Sequence, residues 1–300
     1  MQVPSHVEYE RAKSVEHALE LLARFGPESR VLAGGHSLLP MMKLRLAQPE
    51  TLVDINGIGG LSRITVQDGE LRIGALVRHA QLLASAPAGR HFPILHDAEL
   101  VIADPIVRNW GTIGGSLCQA DPSEDLSAAF GALRATAVIR GPGGPRLVPV
   151  REFHLGPYET VVAPGELLTE LRIAIGPEGA KGARRGSAYE KVARRVGDWS
   201  VAAAGVALTL GADGTVAEAG IGLAAVGAEH FVSVEAEDFL RGRPADEAAF
   251  TEAGRIAAGQ CQPAADQRGP VDFKRHLTGE LTTRALRRAA ARATARNVGA

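Results

Sequence analysis

Apolar residues near the N-terminus recur at the spacing of an amphipathic helix. They stand at i, i+3, i+4 and i+7, which are Val15, Ala18, Leu19 and Leu22. Ser14 is a favoured N-cap, and Gly26 with Pro27 ends the pattern. The spacing therefore predicts one helix between Ser14 and Gly26.

Short strands are predicted on either side of a glycine turn that follows this helix. They cover residues 30–33 and 51–55, and the stretch between them permits a helix that ends near Leu46. We expect these elements to form a small lobe of helices and strands over residues 1–60.

The pattern then changes to paired strands. Residues 64–66 and 71–73 flank an Asp-Gly turn, and residues 136–139 and 146–150 flank a Gly-Pro-Gly-Gly turn. Hairpins predict an antiparallel sheet, which a last strand over residues 166–175 would complete. We expect helices at residues 79–85 and 93–101, and a loop over residues 103–125. These elements predict a second lobe over residues 61–176.

A third unit is predicted over residues 177–300. Strands near residues 201–210 and 216–223 flank another Asp-Gly turn, and helical segments follow. No regular alternation of strand and helix indicates a doubly wound sheet. The expected fold class is α+β, in three lobes.

Composition excludes several classes of protein. The 300 residues are 45% apolar and 22% charged, which is typical of a compact globular protein. A formal net charge of −1 argues against a nucleic-acid groove, and no stretch has the length of a signal peptide or an integral membrane segment. Two cysteines, Cys118 and Cys261, cannot hold an iron–sulfur cluster or a structural zinc ion. We therefore expect a cytoplasmic protein without a metal site.

Two glycine pairs, at residues 34–35 and 114–115, are each flanked by hydroxyl residues. Such segments can direct several amides at one anion, for example the pyrophosphate of a dinucleotide, although ordinary turns are the alternative. Downstream, Asp121 is a candidate helix cap with Pro122 at the first position. Asp125 would then lie in the first turn, where it could accept hydrogen bonds from a ribose.

Other motifs are missing or incomplete. No GxGxxG follows a strand, and there is no P-loop and no HExxH. Residues 35–39 begin like the nucleophile elbow of a serine hydrolase, but Leu39 replaces the second glycine. The charged and aromatic run at residues 189–199 is either a solvated strand edge or a segment beside a flavin.

Three segments in this order resemble a known family: AGGHSLLPMMKLRLAQPETLVDIN, TIGGSLCQADPSEDLSAA and YEKVARRVGDWSVAAAGVAL. They are similar to the FAD-binding medium subunit of molybdenum hydroxylases, and the GDW sequence is most like that of aerobic carbon monoxide dehydrogenase. The resemblance implies a fold of the vanillyl-alcohol-oxidase (PCMH) type, with FAD between two lobes. A C-terminal α+β lobe of the carbon monoxide dehydrogenase flavoprotein type would cover the flavin.

By position in these motifs, the resemblance implies a set of cofactor-binding residues and no catalytic or metal-binding ones. The pyrophosphate and ribityl contacts would fall on Leu32, Ala33, Gly34, Gly35, His36, Ser37, Thr112, Ile113, Gly114, Gly115 and Ser116. Many relatives have Asn in place of Ser116, and a hydroxyl offers fewer hydrogen bonds than an amide. Asp125 would contact the adenosine side, Leu168 would pack beside the ring system, and Tyr189 and Lys191 would lie near the flavin.

The implied chemistry is electron transfer as an oxidoreductase subunit. FAD, bound without a covalent link, would collect electrons from two iron–sulfur clusters in a small partner subunit. A large partner subunit would carry the molybdopterin and oxidise the substrate, and the complex would be a dimer of heterotrimers. The external acceptor would take the electrons last.

Two alternatives differ in function. One is a self-contained flavin oxidase or reductase of the same fold, in which His36 could anchor the flavin covalently. The other is a flavin-free scaffold that joins subunits, which would leave both glycine segments without a purpose. The substrate and the natural acceptor do not follow from this sequence.

Arginines repeat near the C-terminus without an acidic residue between them. The set comprises Arg284, Arg287, Arg288, Arg292 and Arg296. On a helix, four of them form one cationic stripe. We expect either a solvated helix face or a docking stripe for a partner subunit.

Overall fold

A computed structural model describes residues 3–176 and 184–295 of the chain. It contains a parallel sheet near the N-terminus, a five-stranded antiparallel sheet in the middle and a three-stranded antiparallel sheet near the C-terminus. Each sheet contributes to its own buried apolar cluster. We call the parts of the chain around these sheets the first, second and third lobe, and the predicted division at residues 60 and 176 stays a prediction.

The first lobe alternates strands and helices. Its elements are β1 (Glu8–Arg11), α1 (Val15–Phe25), β2 (Ser29–Leu32), α2 (Leu38–Lys43) and β3 (Thr51–Asp54). Ser14 caps α1 by accepting a hydrogen bond from the His17 amide, as predicted. The strands are parallel in the order β1-β3-β2, and β1 was missed because its charged residues give no apolar pattern.

The second lobe contains the predicted antiparallel sheet. Its strands are β4 (Ile64–Gln67), β5 (Glu70–Gly74), β6 (Thr136–Gly141), β7 (Gly144–Pro149), β8 (His154–Gly156), β9 (Glu159–Thr160) and β10 (Leu167–Ala174). The main sheet has the order β4-β5-β10-β6-β7, so the last strand lies between the two predicted hairpins. The strands β8 and β9 form a separate small pair.

Six helices of the second lobe lie between β5 and β6. They are α3 (His79–Leu83), α4 (Ala86–His91), α5 (Pro93–Val101), α6 (Pro105–Trp110), α7 (Ile113–Gln119) and α8 (Leu126–Ala132). The predicted loop over residues 103–125 is wrong, because it contains α6 and α7. Asp104 and Thr112 cap these helices, each by accepting a hydrogen bond from the amide three residues later.

The third lobe starts with β11 (Arg184–Ala193), β12 (Ser200–Leu210) and β13 (Val216–Ala224), and continues with α9 (Val234–Leu240), α10 (Glu247–Gln260) and α11 (Val271–Ala295). The central strand β12 is buried along most of its length. Helix α8 of the second lobe packs so closely on β13 that a Cβ at Gly220 or Gly222 would overlap a carbonyl oxygen of α8. Small side chains in this sheet therefore allow the second and third lobes to touch.

The four arginines of the stripe that lie in the described ranges each pair with an acidic side chain of this chain. Arg288 and Arg292 both reach the buried carboxylate of Asp97 on α5, each with one distance of 3.0 Å. Arg284 pairs with Glu280 and Arg287 pairs with Glu247, while Arg296 lies outside the described residues. Helix α11 thus joins the third lobe to the second, and docking of a partner subunit on this stripe stays a prediction.

None of the helices in the described ranges is both long enough and apolar enough to cross a membrane.

Candidate functional site

A cavity of about 840 Å³ lies where the three lobes meet. Its walls include residues of the first glycine loop, of α7, of the segment before β10 and of the connection between β11 and β12. All the predicted cofactor-binding residues line it except two, Ile113 and Tyr189, which are buried behind the wall. The structure therefore brings together residues that are far apart in the sequence.

The first glycine loop lines this cavity and has unpaired amides. Within the described chain, the backbone N–H groups of Gly34, Gly35, His36 and Ser37 have no protein acceptor. Gly35 has a φ of 77°, a conformation that side chains disfavour. Successive free amides at the surface of a cavity are well suited to an anion such as a phosphate.

Contacts with the second lobe hold this loop in place. A Cβ at Gly34 would overlap the carbonyl oxygen of Trp110, so only glycine permits the approach. Arg78 donates to the Trp110 carbonyl and, at 2.6 Å, to Asn56 Oδ1. The Asn56 side chain in turn donates to the Ala33 carbonyl at 2.8 Å. The loop is thereby fixed between two lobes.

The second glycine segment differs, because its amides are already engaged. The N–H of Ile113 donates to Val77, that of Gly114 to Ala75, and those of Gly115 and Ser116 to Thr112. The prediction that this segment directs free amides at an anion is therefore wrong. This segment still contributes to the cavity wall. It supplies the hydroxyl groups of Thr112 and Ser116, and its glycines leave room for another group to approach the backbone.

Asp125 is the centre of a buried polar cluster. Its carboxylate accepts hydrogen bonds of 2.8 Å each from the Tyr189 hydroxyl, the Lys191 ammonium and the Ser200 hydroxyl. Burial, followed by the charge of Asp125 and its hydrogen bond, raises the pKa of Tyr189 well above its ordinary value. The cluster joins the start of α8 to the first two strands of the third lobe.

Two predicted site residues are paired in this cluster. Asp125 was expected at the adenosine side and Lys191 near the flavin, and their side chains form an ion pair at 2.8 Å. That Asp125, Lys191 and Tyr189 act on FAD stays a prediction.

Glu124 caps the start of α8, whereas Asp121 was the predicted cap. Glu124 is buried and accepts hydrogen bonds from the amides of Leu126 and Ser127 and from the Ser127 hydroxyl. Burial raises its pKa to about 7 despite these hydrogen bonds. Asp121 instead binds the Ser123 amide and the Tyr158 hydroxyl. A carboxyl group that is about half protonated at neutral pH therefore lines the cavity.

Leu168 and Cys118 are further parts of the wall. Leu168 is buried at an irregularity in the pairing of β10 with β6, so its side chain lies beneath the cavity. Cys118 is exposed and lines the cavity, and desolvation by the surrounding protein raises the pKa of its thiol to about 12. Neither side chain supplies a charge to the site.

Several lining residues were not predicted. They include Arg30, Met41, Val107, Gln119, Tyr158 and the segment 162–167. No motif marks them, because they approach the cavity only through the packing of distant elements. Of the run at residues 189–199, Lys191 and the last three residues, Gly197, Asp198 and Trp199, line the cavity. That this segment lies beside a flavin stays a prediction.

The residues present fit a flavin dinucleotide. The cavity has a volume typical of cofactor sites, with a run of free amides on one wall and apolar groups such as Leu168 on another. The free amides suit a pyrophosphate and the apolar wall suits a ring system. In the described ranges, no group of three His, Cys, Asp or Glu side chains could hold a metal ion.

Comparisons with known proteins identify a family with two matching domains. Residues 5–174 match the model of the FAD binding domain in molybdopterin dehydrogenase, and residues 187–289 match the C-terminal domain of the CO dehydrogenase flavoprotein. The carbon monoxide dehydrogenase medium chain of Afipia carboxidovorans is 40% identical over 97% of this chain and 99% of its own.

Other relatives carry different names. Subunit alpha of the 6-hydroxypseudooxynicotine dehydrogenase complex of Paenarthrobacter nicotinovorans is 34% identical over 97% of this chain and 96% of its own. A chain of the Cu,Mo-CO dehydrogenase crystal structure superimposes with a TM-score of 0.91, at 40% identity, over 97% of this chain and all of that one. The α+β fold with an FAD-binding part and a C-terminal lobe is thereby confirmed. On these grounds the chain belongs to the family of FAD-binding medium chains of molybdopterin dehydrogenases.

Proposed function

We propose that this chain holds FAD in the cavity and transfers electrons within a molybdenum hydroxylase complex. The run of free amides at residues 34–37 is the observation that carries the proposal, because it provides a pyrophosphate site on a wall shared by two lobes. Thr112 and Ser116 would add hydroxyl contacts. Leu168 would pack on the cofactor, and Asp125, supported by Tyr189, would hold Lys191 beside it.

When bound, FAD supplies the ability to accept single electrons and to deliver a pair to an acceptor. The chain's own task is to bind and orient the cofactor and to keep part of it from water. Substrate oxidation belongs to a molybdopterin-bearing large subunit, and the electrons reach this chain through the two clusters of an iron–sulfur small subunit. The CO dehydrogenase relatives and the matching C-terminal domain favour carbon monoxide as the substrate of the complex. The nicotine-derived name of another relative shows that the family is not restricted to it.

Acid precipitation tests the mode of FAD binding. The purified chain should be yellow, and acid should release all the colour into solution, since electron transfer requires no covalent link. Colour that stays in the pellet would indicate the alternative, a self-contained flavin oxidase anchored through a residue such as His36. A folded preparation that takes up no flavin would support the scaffold alternative instead.

Reconstitution tests the division of labour. The isolated chain should bind FAD and pass electrons to a dye, but it should oxidise neither carbon monoxide nor an aldehyde or purine. Activity should return only with both partner subunits, and in stopped-flow spectra with substrate as the only reductant the clusters should bleach before the flavin. Flavin that bleaches first, or turnover by the isolated chain, would contradict the proposal.

We further propose that the complex is a dimer of heterotrimers in the cytoplasm. Both cysteines of the chain are free, which is usual in a reducing compartment. Native mass spectrometry of the purified complex tests the stoichiometry, and cell fractionation with an antibody to this chain tests the location.

A further inference from the structure

Three side chains form a hydrogen-bonded row that leads from the cavity into the protein. The Ser116 hydroxyl, on the cavity wall, lies 3.1 Å from His79 Nε2. His79 Nδ1 lies 3.1 Å from both carboxylate oxygens of Glu99. His79, which also lines the cavity, is 3% exposed, and Glu99 is fully buried, so the row runs from the cavity wall into the protein.

The direction of each hydrogen bond follows from the donors available. Burial raises the pKa of Glu99, and the charges of His79 and Arg108 oppose this shift. In its ionised form Glu99 can only accept, so His79 Nδ1 then carries a proton. When His79 is neutral, Nε2 is an acceptor and the Ser116 hydroxyl must donate to it. When His79 is charged, Nε2 donates to the Ser116 oxygen, and the serine proton is free to point into the cavity.

A serine, a histidine and a carboxylate are linked in the same order in serine hydrolases. Those enzymes also need free hydrogen-bond donors beside the serine, which stabilise the oxyanion that forms during attack. The amides from Ile113 to Ser116 all donate to acceptors within the protein. The row is therefore suited to directing a hydrogen bond and not to nucleophilic attack.

The charges around His79 favour its protonated form. Glu99 on α5 faces it directly, Glu124 and Asp125 act from the start of α8, and Arg108 on α6 acts on Glu99. Burial alone would lower the pKa of His79, but the carboxylates outweigh burial, so the pKa is raised from its ordinary value of 6.5. His79 thus remains charged to a higher pH than an exposed histidine.

We propose that Glu99 and His79 are positioning residues that make the Ser116 hydroxyl a hydrogen-bond donor to the FAD in this cavity. Acceptor oxygens are abundant on FAD, in its pyrophosphate and in its flavin carbonyls, so a serine that donates is better matched to it than one that accepts. The inference rests on the proposed function and adds to it a dependence of FAD binding on the charge of His79.

Flavin fluorescence of the full-length chain, titrated with FAD between pH 6 and pH 9.5, tests this directly. FAD should bind about 3- to 10-fold more weakly once His79 loses its proton, the range that one hydrogen bond contributes. Ser116→Ala removes the donor, so this variant should bind FAD weakly at every pH and should not show the decrease in affinity, which we call the step. His79→Gln should also give a flat profile, and circular dichroism shows whether it folds.

Two further variants separate His79 from other titrating groups. His96→Gln makes the same substitution at an exposed position on α5 and should keep the step. Glu124→Gln removes a cavity carboxyl whose pKa is about 7, and the step should persist there as well. A step that survives in Ser116→Ala, or that disappears only in Glu124→Gln, overturns the inference. A chain that binds no FAD at any pH overturns the proposed function instead.

Discussion

Asp125 binds a charged side chain and two hydroxyl groups at a position that only the folded chain creates. Its three partners are 64 to 75 residues away along the sequence. Both members of the ion pair with Lys191 are almost completely buried, with side chains 6% and 4% exposed. At such a site, removing one charge leaves the other without compensation.

We therefore expect Asp125→Asn to destabilise the fold. Loss of one partner of a buried ion pair costs about 3–5 kcal/mol. Urea unfolding of the apo chain measures this, with the exposed Asp272→Asn on α11 as the matched control. A loss below about 1 kcal/mol, typical of surface pairs, would contradict the burial of this cluster.

Glu124 gives the stability a dependence on pH. Its pKa is about 7 in the folded chain, against an ordinary value of 4.5, so the folded state keeps the proton to a higher pH than the unfolded state does. Stability should therefore fall as the pH rises from about 4.5 to about 7, by about 3 kcal/mol in total.

Unfolding free energies at pH 5 and pH 8 test this expectation. Glu124→Gln should remove most of the decrease, because a neutral amide gains no charge in this range. If the variant and the wild type show the same decrease, another group is responsible.

Helix α11 reaches the second lobe through arginines that pair with Asp97. Arg292 is mostly buried against Asp97, whereas Arg284 and Glu280 are both exposed. We expect Arg292→Glu to cost about 3 kcal/mol, and the matched Arg284→Glu less than about 1 kcal/mol, because surface pairs contribute little. Thermal and urea unfolding of the two variants provide the comparison.

The helices also show why some elements were predictable and others were not. Helix α1 has its cap and its apolar face within one short segment, so the sequence contains the whole signal. Helix α7 has glycines at its second and third positions, and it forms where the Ile113 amide reaches Val77 in another part of the lobe. That stabilisation depends on tertiary contacts and leaves no local pattern.

The same distinction applies to the site. The glycine motifs predicted the position of the cavity, since they are continuous in sequence. The pairing of His79 with Glu99 depends on how α3 and α5 pack, and the contacts of Asp125 depend on the docking of the third lobe. Polar partners of this kind are defined by the fold and not by spacing.

At the scale of the whole molecule, the cavity wall is shared among the lobes. FAD binding should therefore protect several of them together from hydrogen exchange. Protection should rise at residues 33–38, 102–103 and 162–168, which line the cavity, and change little in α10, which does not. Exchange measured by mass spectrometry with and without FAD tests this, and protection confined to the first lobe would contradict a shared site.

The order of these elements along the chain has a consequence for biosynthesis. The cavity wall is complete once Trp199 has been made, whereas α11, which fastens the third lobe to Asp97, is translated well after it. Because domains begin to fold while the ribosome is still adding residues, all the segments that line the cavity are made before α11. We therefore expect that FAD can reach these segments before α11 docks on Asp97.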